Sequence, residues 1–274
     1  MFAQLIETSP AMLTAPGLDA AGAPWTWGGY SSAIAISVFG FSVWPHYFMK
    51  IYTANSMATL RKTVVFYPTF AFFLLPILLI GFSGILIFPD VTPVDTILPT
   101  IVTSLDLPAV IVGLFCAGAL AASMSSGDAI VHAAGAVAIK DGYRVLVPQV
   151  MQDGDDTRLI RWAVVIIGAV SYYVAIYSNI SLVLLLLLSY GFIAQIFPAL
   201  IASLYWRRST PTGVIAGLVA GCLTTVVWNL IPVLQWQQIH PGIWGLAANA
   251  SILLAVSLAT VSYTHLTLPT ILLV

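Results

Sequence analysis

Long apolar runs separated by short polar connections dominate the chain. Seven such runs can be delimited, and most of them contain no charged residue. Because about 20 apolar residues in a helix cross the hydrocarbon core of a bilayer, each run predicts one transmembrane helix. The runs are approximately 30–49, 64–88, 107–139, 159–177, 180–206, 213–233 and 242–260.

The continuity of these runs decides the fold class. The strands of an outer-membrane barrel alternate apolar and polar residues over segments of about ten residues, whereas these runs are unbroken and about twice as long. Helices and closed barrels are the two structures that satisfy backbone hydrogen bonds in lipid. The sequence therefore predicts an all-α polytopic membrane protein with about seven transmembrane helices.

Composition agrees with this and excludes several function classes. Of 274 residues, 60% are hydrophobic and 7% charged, with a net charge of -1, against about 25% charged residues in soluble domains. Nucleic-acid binding is excluded on this ground. Both cysteines lie inside apolar runs, which excludes a disulfide framework and a zinc site. The chain shows no His/Glu metal spacing and no Ser/His/Asp set, so we expect neither an enzyme nor a cofactor.

Basic residues predict the orientation of the chain. All nine fall in alternate connections, and cytoplasmic loops concentrate Lys and Arg. The N-terminus is therefore expected outside and the C-terminus in the cytoplasm, with the protein in a bacterial inner membrane. The nine are Lys50, Arg61, Lys62, Lys140, Arg144, Arg158, Arg161, Arg207 and Arg208.

The two ends predict that the sequence is a piece of a longer protein. Residues 1–29 have no signal-peptide pattern and read as the remnant of an extracellular loop. Residues 261–274 follow the seventh run without a basic stop, and their back-translation resembles a sequencing adapter read in frame. We expect those fourteen residues to be translated adapter.

Small residues in two runs favour different roles. Gly213, Gly217 and Gly221 recur every four residues, which predicts a helix face for close packing. The third run contains CAGALAASMSSGDA, in which Ser125 and Ser126 supply oxygens of the kind that a hard cation such as Na⁺ requires. The alternative is that these hydroxyls bond back to their own helix.

Other polar residues inside the runs predict a lined interior. Asp128 and His132 share one helix face, where they would either relay protons or satisfy each other at a helix interface. Pro45 predicts a break in the first run near residues 40–45, with Phe41, Trp44 and His46 facing a cavity, although a simple proline kink is the alternative.

The fifth run adds two further candidates. Tyr190 and Gln195 lie in the stretch SYGFIAQIFPAL. An amide is costly in lipid, so Gln195 should face the interior of the bundle.

Three stretches together resemble the sodium:solute symporter family, over about residues 30–233. The second is the most specific, because Met-Ser-Ser-x-Asp before an Ala-rich helix ending in Asp-x-Tyr-Arg is characteristic of the family's eighth core helix. The stretches are SVWPHYFMKIYTANS (42–56), ALAASMSSGDAIVHAAGAVAIKDGYR (119–144) and YGFIAQIFPALIASLYWRRSTPTGVIAGLVAG (190–221).

The resemblance implies a fold and a division of the chain. The family has the leucine-transporter architecture, two inverted repeats of five helices with ion and solute at broken helices. Residues 30–206 would form the second repeat, residues 207–260 two accessory helices, and the N-terminal half of the transporter would be missing.

The resemblance also implies a site. The Ala122 carbonyl, Ser125 and Ser126 would form half of a Na⁺ site, while Phe41, Trp44, His46, Tyr190 and Gln195 would line the solute cavity. The Phe41, Ser42 and Trp44 pattern argues against a sugar and is more like members that carry small monocarboxylates.

The function expected from the sequence is therefore Na⁺-coupled symport of a small organic solute. Its partners would be Na⁺, the solute, the bilayer and the missing half. The alternatives are a transporter-like membrane sensor or scaffold, and H⁺ coupling through Asp128 and His132.

Overall fold

The computed structural model describes residues 2–8, 10–18, 23–92, 94–147, 155–178, 180–234 and 236–261. Within these ranges the chain is helical and has no strand, apart from an isolated antiparallel bridge between Leu18 and Pro24. The predicted all-α polytopic fold is confirmed. The predicted adapter segment falls, after Val261, outside the described residues.

Thirteen α-helices are defined within the described ranges. In chain order they are α1 (Phe2–Thr8), α2 (Trp27–Ser42), α3 (Pro45–Tyr52), α4 (Met57–Phe66), α5 (Leu74–Ile87), α6 (Ile97–Ser104), α7 (Ala109–Val137), α8 (Arg144–Leu146), α9 (Asp155–Tyr177), α10 (Leu182–Ile193), α11 (Ile196–Tyr205), α12 (Pro211–Leu230) and α13 (Pro241–Thr260).

Six helical segments are long and apolar enough to cross a membrane in the described part of the chain. They are Met57–Ile87, Ala109–Leu146, Asp156–Tyr177, Leu182–Tyr205, Pro211–Leu230 and Pro241–Thr260. A shorter apolar helix covers Val94–Ser104. These six match the second to seventh predicted runs.

The first predicted run differs from the others, since it consists of two helices rather than one continuous helix. Helix α2 ends at Ser42 and α3 begins at Pro45. Proline has no N–H to donate and its ring clashes with the preceding turn, so a single helix cannot pass through Pro45 undistorted. The predicted interruption is thus present, at residues 43 and 44.

The chain divides into two compact units. The first comprises Met1–Glu7 and Pro45–Ser181, and the second comprises Thr8–Trp44 and Leu182–Val274. The predicted division into a five-helix repeat and two accessory helices does not coincide with this one, and it stays a prediction.

Helix pairs in the first unit meet at glycines. Gly135 of α7 lies against Val164 of α9, where an added Cβ would stand 2.9 Å from the valine side chain. Gly84 of α5 lies similarly against Ile97 of α6. Because lipid tails are as apolar as these side chains, close packing rather than hydrophobic burial holds such helices together.

An ion pair holds the N-terminal end of α9 in the first unit. Arg144 donates from Nε to Asp156 Oδ1 at 2.9 Å, and its second nitrogen lies 2.7 Å from Asp156 Oδ2. Two parallel bonds of this kind give directional as well as electrostatic stabilisation. They join α8 to α9 on the side that the basic residues predict to be cytoplasmic.

An antiparallel pair, α12 and α13, is the most extensive contact in the second unit. Gly213, Gly217, Gly221 and Thr225 of α12 face Ser257, Leu253, Asn249 and Gly245 of α13 in that order. A Cβ on Gly217 would stand 2.7 Å from Asn249 Oδ1 and 2.8 Å from Leu253 Cβ. The packing face predicted from the glycine spacing is confirmed.

We expect Gly217→Ala to destabilise the protein although alanine favours a helix by about 1 kcal/mol over glycine. The methyl group would collide with backbone and side-chain atoms of α13. The apparent melting temperature in detergent should fall by about 5 °C or more. Gly118→Ala is the matched control, since an added Cβ there meets nothing within 4 Å. Equal melting temperatures for both variants would contradict the packing argument.

Candidate functional site

The interruption between α2 and α3 is the starting point of the candidate site. Val43 and Trp44 donate their backbone N–H groups to Gly40 O and Phe41 O, at 3.3 and 3.4 Å. These i to i+3 bonds terminate α2, which ends at Ser42, and leave Val43 and Trp44 between it and Pro45. A break of this kind at membrane depth is tolerated where the backbone lines protein or a cavity.

Three aromatic rings meet at this end of α2. Trp44 packs edge-to-face on Tyr190 of α10, with ring centroids 5.3 Å apart, and on Phe41 at 6.3 Å. Tyr190 is buried, and Phe41 is 36% exposed. Tyr190 therefore lies on the buried side of this group of rings, and Phe41 lies on its exposed side.

An open groove of about 560 Å³ runs along α2 and α10 from these rings. Its volume is within the range of small-molecule sites. The lining residues carry hydroxyl and indole groups but no Asp, Glu, Lys or Arg. They are Trp25, Tyr30, Ala33, Ile34, Ser37, Val38, Phe41 and Ser42 from α2 and the residues before it, and Val183, Leu187 and Tyr190 from α10.

The two serine hydroxyls in this groove donate within their own helix. Ser37 donates to Ala33 O and Ser42 donates to Val38 O, each at 2.7 Å. Since each hydroxyl proton is used within α2, the oxygen lone pairs remain to accept bonds from a ligand.

Close approach of α2 and α10 depends on Gly40. A Cβ at this position would stand 2.6 Å from Tyr190 Cδ1 and 3.0 Å from Tyr190 Cα. Any larger residue would push Tyr190 away from Trp44. Gly40 thereby sets the spacing between the two walls of the groove.

The predicted solute residues are placed as follows. Phe41 and Tyr190 line the groove and Trp44 contacts both. His46 lies in the first turn of α3, and its side chain lies outside the described part of the structure. Gln195 does not line the groove: it is fully buried, with its amide hydrogen-bonded to α10, α12 and α13.

The predicted Na⁺ residues lie in the first unit, on α7. Ser125 donates to Ala122 O at 2.9 Å, so two of the three predicted oxygens are adjacent. Ser125 and Ser126 are exposed. The bond to Ala122 is the local one expected of a serine in a membrane helix, and it leaves the Ser125 lone pairs available to a cation.

Asp128 and His132 are both exposed on the same helix. Within the described ranges, neither side chain has a hydrogen-bond or ion-pair partner. The two alternatives for this pair, a proton relay and mutual satisfaction at a helix interface, stay predictions.

One polar group that the sequence reasoning missed is His240. Its imidazole accepts a bond from Gly242 N at 3.1 Å and so caps the start of α13, while its backbone N–H donates to Ser32 Oγ at 2.9 Å. Desolvation by burial lowers the pKa of His240 from 6.5 to about 4, opposed by a smaller effect of its bond to the Leu187 backbone. His240 is thus a neutral link between α2, α10 and α13.

The profile of the sodium:solute symporter family matches residues 14–221. This chain belongs to the sodium:solute symporter family. The match includes α2 to α11 and the first half of α12, and therefore the whole groove described above.

Relatives within the family cover nearly the whole chain. The uncharacterized symporter YhjB of Bacillus subtilis (strain 168) is 30% identical over 272 residues, covering 95% of this chain and 54% of the relative. The sodium/pantothenate symporter of Escherichia coli (strain K12) is 28% identical over 244 residues, covering 87% and 49%.

A third relative matches a shorter segment. The sodium/proline symporter of Haemophilus influenzae is 26% identical over 151 residues, covering 54% of this chain and 30% of that protein. The symporter-family chain spans about half the length of the first two relatives. No solved structure matches it.

Protonation of His240 should destabilise this symporter-family chain. Its pKa is lower when folded, about 4, than when unfolded, 6.5, so the unfolded state binds the proton first. The stabilisation is present above pH 6.5 and is lost as pH falls toward 4. We expect the melting temperature in detergent to fall over this range, and His240→Asn, which keeps a capping oxygen, to reduce that fall.

His132→Asn is the control for this measurement, because His132 is exposed on α7. Its pH profile should match that of the unmodified chain. If the His240→Asn profile also matches, His240 does not determine the acid sensitivity.

Proposed function

We propose that this chain is part of a Na⁺-coupled secondary active transporter for a small organic carboxylate. The observation that carries the proposal is the interrupted first span, whose end places Phe41, Trp44 and Tyr190 around an open groove. Family membership supports the coupling ion. A covalent step is not required, since transport needs only differential binding in two conformations.

The chemistry of the groove supports a partly apolar solute. Aromatic walls bind apolar atoms, while the Ser37 and Ser42 oxygens accept bonds from donor groups on the ligand. Proline and pantothenate, which the names of two relatives give as solutes, each contain one carboxylate. No cationic side chain occurs among the described lining residues, and the proposal assigns the balancing charge to co-bound Na⁺.

The cation half-site is proposed at Ala122, Ser125 and Ser126. A hard cation with its water removed needs several oxygen ligands. Two hydroxyls and one carbonyl are fewer than a complete shell, so further oxygens must come from outside this group. The proposed full transporter would be longer than this chain, as the coverage of its relatives supports.

The transport cycle follows from these two sites. Na⁺ binding at the α7 serines would favour the conformation that accepts solute in the groove, and rearrangement of one set of helices against another would expose both to the other side. We place the protein in a bacterial inner membrane, with its N-terminus outside and its C-terminus in the cytoplasm.

Ser126→Ala should raise the Na⁺ concentration for half-maximal solute uptake by about tenfold, with expression unchanged. The change removes one oxygen ligand from the ion, a loss of order 1–2 kcal/mol. The measurement is uptake by the longer transporter recovered from the source gene, as a function of external Na⁺.

Two further variants make this experiment decisive. Ser203→Ala removes an exposed hydroxyl that donates to its own helix at Leu200 O, and should leave the Na⁺ dependence unchanged. Asp128→Asn should abolish the pH dependence of an H⁺-coupled transporter and leave a Na⁺-coupled one driven by Na⁺. Solute uptake that does not depend on external Na⁺ would reject Na⁺ coupling. Absence of any solute uptake would favour the transporter-like membrane sensor or scaffold.

Phe41→Ala should raise the KM for solute by about tenfold and leave the Na⁺ concentration for half-maximal uptake within about twofold. The variant removes an aromatic wall of the groove, worth about 1–2 kcal/mol. Competition of uptake by small monocarboxylates and by sugars identifies the solute class. Stronger competition by sugars would contradict the proposed carboxylate.

A further inference from the structure

The regular backbone hydrogen bonding of a helix is interrupted between α10 and α11, and one side chain replaces a missing bond. Pro198 cannot donate to Ala194 O, and its ring crowds that carbonyl. The chain responds with i to i+3 bonds, from Gln195 N to Phe192 O at 3.1 Å and from Phe197 N to Ala194 O at 2.9 Å. Because Gln195 N is bonded to Phe192, it does not supply the regular helix bond to Gly191 O.

The side chain of Gln195 replaces that bond. Its Nε2 donates to Gly191 O at 2.9 Å, within its own helix, and to Gly242 O of α13 at 3.2 Å. Asn249 of α13 donates back to the Gln195 backbone O at 2.7 Å and to its Oε1 at 3.3 Å. Gln195 and Asn249 are 0% and 1% exposed, so these bonds are free of competition from water.

Two glycines of the α12–α13 pair make room for this amide. A Cβ on Gly245 would stand 2.8 Å from Gln195 Nε2, and one on Gly221 would collide with Gln195 Oε1. The glycines therefore do more than bring two helices together. They form a recess into which a side chain of a third helix fits.

The turn to which the Gln195 amide is bonded also positions Tyr190, which lines the groove. Tyr190 immediately precedes Gly191 and packs closely against Gly40 and Trp44. Gly191 itself lies against α13, since a Cβ on Gly242 would stand 2.7 Å from Gly191 Cα. Displacement of the Gln195 amide would release this turn and move Tyr190.

We propose that Gln195 is a positioning residue. Its amide connects the interrupted turn between α10 and α11 to the recess in the α12–α13 pair, and thereby fixes Tyr190 in the wall of the groove. This assigns α12 and α13 a part in solute affinity although they contribute no lining residue to the groove. The inference rests on the proposed function for its transport readout, and on the fold alone for its structural readout.

The transport readout compares affinities for solute and Na⁺ in the longer transporter. Gln195→Ala should raise the solute KM by about tenfold and leave the Na⁺ concentration for half-maximal uptake within about twofold. Asn249→Ala should also raise the solute KM. The Gln195→Ala/Asn249→Ala double variant should raise it little more than either single variant, because each change breaks the same hydrogen-bond network. Additive losses would overturn the proposal.

The structural readout uses hydrogen exchange of the 274-residue chain in detergent. Gln195→Ala should speed amide exchange in residues 187–194 by about tenfold relative to the rest of the chain. Gln195→Glu keeps the shape but loses the Nε2 donor, and should do the same. Unchanged exchange in this segment would overturn the proposal even where transport is altered.

Ser257→Ala is the matched control. Ser257 is equally buried in the same helix pair, accepts a bond from Thr210 N at 3.2 Å and has no described bond to α10. Loss of stability without a change in solute KM or in exchange of residues 187–194 is expected. If Ser257→Ala reproduces the Gln195→Ala effects, the role of Gln195 is merely structural. If the unmodified transporter shows no Na⁺-dependent uptake, the proposed function fails, and hydrogen exchange alone decides the role of Gln195.

Discussion

The close antiparallel contact of α12 and α13 is the constraint on which the second unit depends. In lipid, helices gain little from hydrophobic burial, so association relies on van der Waals contact and interhelical hydrogen bonds. Gly213, Gly217 and Gly221 permit that contact. The hydrogen that Gly217 carries toward α13 is aimed at Asn249 Oδ1, to which no N–H or O–H group of the described residues donates. A weak C–H···O contact is what this geometry offers.

Helix α13 and the residues just before it contact the elements that form the groove at three levels. Near the predicted outer end, Gln238 Oε1 accepts from Thr26 N at 2.7 Å at the start of α2. One level further in, His240 bonds to Ser32, and then Gln195 meets Asn249. Both walls of the groove are thus held from one side by α13 and the residues before it, while Phe41 keeps an exposed face.

Much of this arrangement is predictable from local sequence. The apolar runs predict the spans because span length depends on composition alone, and Pro45 predicts the interruption because proline disrupts any helix that contains it. The glycine spacing likewise predicts a packing face. Gln195 illustrates the limit, since its burial follows from the cost of an amide in lipid, whereas its partners do not.

By itself, the sequence determined that this is a helical membrane protein with a broken first span and a glycine face on α12. Those features depend on residues within a few turns of one another. The tertiary structure decided that Gln195 faces Asn249, that His240 joins Ser32, and that Tyr190 closes on Gly40. These pairs are separated by 54 to 208 residues, and helices packed without a strong hydrophobic preference choose among faces by shape and hydrogen bonding, which only the assembled neighbours define.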